Sequence, residues 1–188
     1  MDMNTPHFEL VKAVFPKAKI VTDHFHIVQQ ITRSLNQLRI KTMNIFQKTK
    51  PTKYRRLKRF WKILLKHACD LDSANYQYDR SFRRPVTQKA IVDELLSYDE
   101  QLTRAHETCQ LLLYHFEHKD SQSFFDTINS LDQHLPQWFC KKLTFLNKYK
   151  LGIQYAIKTR YINGALEGTN NKIKVIKRVA YGFKSLRI

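Results

Sequence analysis

A single carboxylate, Glu167, lies near the end of the chain in a segment that is otherwise rich in amides and cations. It sits between two glycines, and no other acid follows it. If the segment continues as a helix, four polar side chains share one face because they follow one another at steps of four, three and four residues: Glu167, Asn171, Lys174 and Arg178. A carboxylate aligned with phosphate-seeking cations predicts metal-dependent chemistry on a polyanion.

Two further acids stand out by their context. Asp2 lies at the start of the chain, and Asp23 follows the β-branched run 18–22, which predicts a short strand. Acids at strand ends and helix starts can hold Mg²⁺, and two such ions can activate an attacking oxygen and stabilise a leaving one. Each acid also has a plainer interpretation: Asp2 as a terminal residue, Asp23 as a helix N-cap and Glu167 as a favourable charge near a helix N-terminus. A metal pair of Asp23 and His26 lacks the third ligand of a zinc site.

The apolar spacing predicts a series of helices around these acids. They are expected at Phe8–Val14, His24–Lys48, Tyr54–His67, Val86–Lys119 with a break near Ser97, Ser121–Asp132, and from Pro136 to Lys158, with a turn at Tyr161–Leu166 before the last helix. Residues 70–85 predict a loop. A lone strand cannot form a sheet, so the sequence predicts a mainly α chain in which either the strand is absent or the rest of its sheet is missing.

The charge pattern indicates a nucleic-acid partner. The chain of 188 residues carries a formal net charge of +17, and its pI is about 9.9. Residues 24–69 contain no acid but many cations interleaved with aromatic residues, which we interpret mainly as core. We expect phosphate contacts from this stretch, at Arg55, Arg56 and Arg59, or from the last helix. The alternative is a solvated helix face.

Other classes of protein find little support in the sequence. No apolar run has the length of a membrane span, and the polar start does not have the layout of a signal peptide, so we expect a cytoplasmic protein. Cys69, Cys109 and Cys140 are far apart and form neither a CxxC pair nor a zinc spacing. We interpret them as incidental thiols in a reducing compartment.

Two long stretches resemble the DDE transposases of the insertion-sequence family called ISL-three. The first, 2–29, contains an Asp-Met pattern and then Asp23-His24-Phe25-His26. The second, 163–183, contains the pattern Asn-Gly-x-x-Glu-Gly-x-Asn-Asn. The middle of the chain, notably 98–102, is similar to the helical insertion of the family. The resemblance covers essentially the whole chain.

The resemblance implies a mainly α chain that contains a partial ribonuclease-H-like (α/β) fold, with one or two residual strands and a long all-α insertion. Residues 1–27 would belong to the partial core, 28–160 to the insertion, and 161–188 to the helix that carries the catalytic glutamate.

The resemblance also implies roles for the acids. Asp2 and Glu167 would be catalytic and would bind Mg²⁺ or Mn²⁺, while Asp23 and His26 would support them. The alternative assignment of Asp23 as the second catalytic acid stays open. The family usually has Asp-Arg-Phe-His, whereas His24 replaces the arginine here, which puts any contact of that arginine in doubt.

The implied activity is DNA cleavage and strand transfer at insertion-sequence ends and target DNA, by an enzyme that can form homo-oligomers at full length. Contacts with DNA are expected from Asn171, Lys172, Lys174, Lys177 and Arg178. The first catalytic aspartate is expected to precede Met1, so we expect the chain to be a truncated part that keeps DNA affinity but is inactive alone. The alternative function is a stand-alone basic helical DNA-binding protein without catalysis.

Overall fold

The fold is mainly α, as predicted. The computed structural model describes Met3 and residues 5–159 and 164–179, without the side chains of residues 5–8, 12 and 164–167. In chain order the helices within these ranges are α1 (Thr5–Val14), α2 (His24–Thr49), α3 (Pro51–Arg59), α4 (Trp61–Leu64), α5 (Gln88–Leu96), α6 (Glu100–Glu117), α7 (Ser121–Asn129), α8 (Gln137–Thr144), α9 (Lys150–Lys158) and α10 (Gly164–Val179). Short 3₁₀ segments lie at Ala68–Asp70 and Phe145–Tyr149.

Side-chain caps explain where several helices begin. The carboxylate of Asp23 accepts from the backbone N–H of Phe25 at the start of α2, at 3.1 Å. Thr87, Asp99 and Asp120 cap α5, α6 and α7 in the same way. Each cap satisfies one backbone donor that has no partner inside its helix. The predicted break near Ser97 is confirmed, because α5 ends at Leu96 and a new cap opens α6.

The core lies around α2, which packs against α3, α6, α8 and α9. Its apolar face is buried from Ile27 to Leu38, as the helical spacing predicted, whereas Ile45 near its end is exposed, and phenylalanines from α7 and α8 fill the centre. The largest fully buried side chains include Ile27, Ile31, Leu35, Leu57, Leu64, Leu95, Leu102, Leu112, Phe124, Phe125 and Phe139. The helices between α2 and α9 therefore form one continuous packed body.

The segment predicted as a loop contains a β-hairpin. Strand β1 (Gln77–Asp79) pairs antiparallel with β2 (Arg84–Val86), with Gln77 opposite Val86 and Asp79 opposite Arg84. The hairpin lies within residues 28–160, which were expected to form an all-α insertion. Three-residue strands with arginine and proline give a weak period-two signal, which explains why the sequence alone did not reveal them.

The strand predicted over residues 18–22 is wrong. These residues form no strand in the part of the chain that the structure describes. The backbone N–H of Thr22 instead donates to the carbonyl of Gly152 in α9, at 3.1 Å. Thr22 is buried against α9, whereas Ala18 and Lys19 are exposed, so only the end of the run packs against a helix and no sheet ladder continues it.

The helix predicted over Tyr54–His67 is two helices, interrupted at Phe60 between α3 and α4. Phe60 is buried and its ring lies 5.4 Å from that of Phe82, next to β2. The break therefore turns an aromatic side chain toward the hairpin.

Across the described ranges, no helix combines the length and apolar character that crossing a membrane requires.

Candidate nucleic-acid interface

The predicted catalytic acids are only partly within reach of the structure. Asp2 lies outside the described residues. Glu167 lies within α10, but its side chain is not among those described. The buried carboxylate of Asp23 caps α2, and His26 is half-buried one turn further along the same helix. The predicted catalytic and supporting roles of these residues stay predictions.

His24, at the position where the resembling family has arginine, has a defined contact. Its Nε2 lies 2.7 Å from the carbonyl oxygen of Ala156 near the end of α9, and its ring meets Phe116 edge-on at 5.1 Å. The imidazole N–H donates to that carbonyl and joins the start of α2 to α9. A histidine therefore performs a packing role here that needs no guanidinium.

The α10 helix presents the cations that were predicted to contact DNA. Residues 168–179 are all exposed, and the last turn is basic. The predicted helix is confirmed, and its spacing places Asn171, Lys174 and Arg178 on one face with position 167. The apolar residues of α10 are exposed as well, with Ile173 at 45% and Val179 at 68%.

A second group of cations lines an open cleft of about 690 Å³ between α3 and the hairpin. We call it the basic cleft. Its walls are Thr52, Arg55, Arg56, Lys58, Arg59, Arg80, Ser81, Phe82 and Arg83. Six of these nine residues are cationic, so the cleft concentrates positive charge in one concave surface.

Arg56 is the structural member of the basic cleft. Its guanidinium is paired with Glu94, donates to the hydroxyl of Tyr98 and to the carbonyl of Ser81 at 2.8 Å each, and stacks on the ring of Phe82 at 4.1 Å. Only 16% of its side chain is exposed. These contacts hold α3, α5 and the hairpin together, so Arg56 fixes the positions of the elements that carry the other cations.

The exposed cations of the cleft have few competing acids. Arg59 pairs with Asp79 at 3.2 Å. Arg55, Lys58, Arg80 and Arg83 are exposed and make no ion pair with a carboxylate in the described ranges. Around this concave surface, four cations without a carboxylate partner in the described part of the chain provide the charge that phosphate groups require.

The hairpin turn positions two of these cations, Arg80 and Arg83. Asp79 accepts from the backbone N–H groups of Ser81 and Phe82, and Arg83 N–H donates to the Asp79 carbonyl at 2.8 Å. Arg83 adopts a positive φ of 54°, which is uncommon for a residue with a side chain. The four-residue turn therefore fixes Arg80 and Arg83 beside α3.

Not every cation of the acid-free stretch is available for DNA. Arg39 is buried, donates to the Leu57 carbonyl and to Asn36, both at 2.8 Å, and joins α2 to α3. Burial lowers its pKa from the ordinary value. From sequence, Arg39 could not be told apart from the exposed cations of residues 24–69, since charge alone does not distinguish a buried arginine from an exposed one.

A family sequence model described as a transposase, of the DDE type and the ISL-three group, matches residues 1–188. The chain belongs to the ISL-three family of DDE transposases. The resemblance of the two end stretches is thereby confirmed at the level of the family. A ribonuclease-H-like core and its boundaries stay predictions.

Two curated relatives are similar to parts of this transposase-family chain. The transposase for insertion sequence element IS1001 of Bordetella parapertussis is 27% identical, over 98% of this chain and 43% of that protein. A protein named ATP-dependent protease from Lactococcus lactis subsp. lactis is 33% identical, over 59% of this chain and 36% of its own length. The chain thus spans less than half of either relative. No solved structure matches it.

Sequence reasoning missed the hairpin half of the basic cleft. Arg55, Arg56 and Arg59 were predicted, but Arg80 and Arg83 were placed in a loop. Their signal was the pattern Asp-Arg-Ser-Phe-Arg-Arg at 79–84, in which a turn-forming acid precedes three arginines.

Proposed function

We propose that this chain is the part of an ISL-three DDE transposase that binds DNA and contributes two acids to a divalent-metal site. The observation that carries the proposal is the family match over residues 1–188, and the basic cleft supports its DNA-binding half. Insertion-sequence ends and target DNA are the proposed partners. Self-association at full length and a cytoplasmic location belong to the same proposal.

In this proposal the cleft residues bind the DNA backbone. Arg55, Lys58, Arg80 and Arg83 project from two elements that Arg56 holds together, so their spacing is fixed before DNA arrives. Phosphate contacts of this kind position a protein on DNA without sequence information. The exposed cations of α10 offer the same phosphate-binding chemistry on a second element.

Asp2 and Glu167 are the proposed metal ligands, because carboxylate oxygens are the ligands that Mg²⁺ and Mn²⁺ prefer. When bound, the ion would stabilise charge that develops on phosphate oxygens. The geometry of Asp23 supports Asp2 as the second acid, since Asp23 is buried and one of its carboxylate oxygens already accepts from Phe25. Asp23 would position the start of α2.

The proposed reaction is hydrolysis of a phosphodiester at the element end, followed by attack of the freed hydroxyl on a target phosphate. Strand cleavage and transfer would be assayed on labelled element-end DNA with Mg²⁺ or Mn²⁺, using the full-length transposase and its Glu167→Gln variant. We expect at least a 100-fold loss in the variant, about the size seen when a group that stabilises transition-state charge is removed. DNA affinity should be kept. Activity equal to wild type in Glu167→Gln would refute the metal-site assignment.

For the 188-residue chain alone, we expect DNA binding without strand transfer. Turnover by this chain that disappears in Glu167→Gln would contradict the expectation of an inactive part, yet support the role of Glu167. The two halves of the proposal are therefore tested separately.

The second candidate function is a basic helical DNA-binding protein without catalysis. The unpaired cations of the basic cleft favour it, because such a surface needs no acid to bind DNA. Binding that is insensitive both to magnesium and to Glu167→Gln, combined with inactivity of the full-length protein, would support this candidate.

A further inference from the structure

A cluster of three different metal-binding side chains lies outside the residues that line the basic cleft. His67 and Cys69 belong to the turn after α4, and Glu117 is the last residue of α6. One ligand atom from each residue lies within 4.8 Å of the others. Among the described residues, this is the group of three or more His, Cys, Asp or Glu side chains that comes this close. Spacing along the chain does not reveal this cluster, since Glu117 is distant from the other two residues.

The two contacts inside the cluster are made by different nitrogens of the His67 ring. Nδ1 of His67 lies 2.8 Å from Sγ of Cys69, and Nε2 of His67 lies 3.6 Å from a carboxylate oxygen of Glu117. Nε2 is buried and makes no hydrogen bond within the described residues, because 3.6 Å is an ion-pair distance and is too long for a hydrogen bond. The imidazole therefore lies between a thiol and a carboxylate.

The backbone that carries the cluster is held in place by Gln110. The side-chain oxygen of Gln110 accepts from the Ala68 N–H, and its amide nitrogen donates to the Lys66 carbonyl, both at 2.9 Å. Gln110 and Glu117 are seven residues apart on α6, so both lie on the helix face that meets this turn. Such outer contacts fix the orientation of metal ligands before the metal binds.

We propose that His67, Cys69 and Glu117 form a zinc site that joins the turn after α4 to the end of α6. An imidazole nitrogen, a thiolate and a carboxylate oxygen form a ligand set typical of Zn²⁺, with water in the fourth position. The ligand atoms of one tetrahedral zinc lie roughly 3–4 Å apart, as bonds of about 2.0–2.3 Å require. Because only one nitrogen of His67 binds the ion, the thiol or the carboxylate must move closer to it, and the side chains of Cys69 and Glu117 are both exposed.

Binding changes protonation but not oxidation state. The Cys69 thiol releases its proton to solvent as the sulfur–zinc bond forms, and His67 binds through a neutral nitrogen. Affinity therefore falls as the pH falls. A thiol that was interpreted from sequence as incidental acquires a partner that only the fold brings near.

The test uses the 188-residue protein, freed of metal with a chelator and titrated with Zn²⁺ against a chromophoric competitor, and with Co²⁺ as a spectroscopic probe. We expect one equivalent of metal and a thiolate-to-cobalt charge-transfer band. Cys69→Ser should abolish the band and weaken zinc binding at least about 100-fold, because it removes a ligand. Glu117→Gln, which is exposed and outside the core, should weaken zinc binding without affecting folding.

Matched controls separate a built site from adventitious binding. Cys140→Ser and His134→Gln remove the same donor types elsewhere on the protein and should leave affinity, stoichiometry and the cobalt band unchanged. The proposal is overturned if wild type binds no zinc, if Cys69→Ser binds like wild type, or if the control variants lose as much affinity as the cluster variants.

Discussion

The sharpest test of the basic cleft compares two adjacent arginines of α3. Arg55 is exposed and makes no ion pair among the described residues, whereas Arg56 contacts Glu94, Tyr98, Ser81 and the ring of Phe82. Alanine at either position removes one positive charge from the same cleft. The pair therefore separates a residue that holds the cleft together from one that contacts DNA.

The contacts of Arg56 give the expected magnitude. Two hydrogen bonds to neutral acceptors contribute about 1 kcal/mol each, and the ring contact adds about 0.5–1 kcal/mol. The pair with Glu94 adds about 1 kcal/mol, because Glu94 is partly exposed and keeps Arg84 at 2.8 Å. We expect Arg56→Ala to lower the free energy of unfolding by about 3.5–4 kcal/mol, or the melting temperature by roughly 7–16 °C.

Arg55→Ala should behave in the opposite way. Its melting temperature should stay near that of wild type, because an exposed residue without partners contributes within about 0.5 kcal/mol. Its DNA affinity should fall, and the slope of log affinity against log salt should decrease by about 1. Melting is followed by circular dichroism and binding by fluorescence anisotropy on duplex DNA. Wild-type melting of Arg56→Ala, or destabilisation of Arg55→Ala by several kcal/mol, would refute the division of roles.

Three further predictions follow from particular contacts. Gly152→Ala should destabilise the protein by about 1–3 kcal/mol, because its new Cβ would lie 2.6 Å from Thr22 Oγ1. Gly168→Ala, whose new Cβ meets nothing within 4 Å, should raise helicity. Equal melting temperatures of these two variants would contradict this. Arg83→Gly should stabilise the protein by about 1 kcal/mol by relieving the positive φ, yet weaken DNA binding. A fall in stability together with the fall in DNA affinity would contradict the strain assigned to Arg83. Burial lowers the pKa of His106, so the unfolded state takes up the proton first and stability should fall as the pH drops below about 6.5; a melting series in which His106→Gln keeps the full pH dependence would exclude this source.

The helical part of the fold was predictable because its signals are local. Apolar spacing and caps such as Asp23 and Asp99 mark the helix faces and starts, and the observed helices follow them closely. Local signals could not show that residues 18–22 form no strand, since β-branched residues suit both a strand and an irregular segment packed against a helix. Only the contact between Thr22 and Gly152 decides between them.

The candidate sites show the same division. Arg55 and Arg59 stand out in sequence as cations without nearby acids, and the structure places them in the basic cleft. Arg80 joins them only because a hairpin too short to give a clear period folds back beside α3. The cluster of His67 and Glu117 depends entirely on the packing of α6, which spacing along the chain cannot reveal.

The central claim, that the basic cleft binds DNA through phosphate contacts, is tested most directly by the salt dependence of binding. The measurement compares wild type with a triple variant of the cleft, Arg55→Gln, Lys58→Gln and Arg83→Gln, and with a charge-matched control at exposed positions elsewhere, Lys89→Gln, Lys141→Gln and Lys158→Gln. We predict that the cleft variant loses about 3 units of salt slope and binds about 100-fold more weakly near physiological salt, since each lost phosphate contact removes about 0.9 from the slope. The control should lose less than 1 unit. Equal losses in the two triple variants, or no loss in the cleft variant, would contradict the claim.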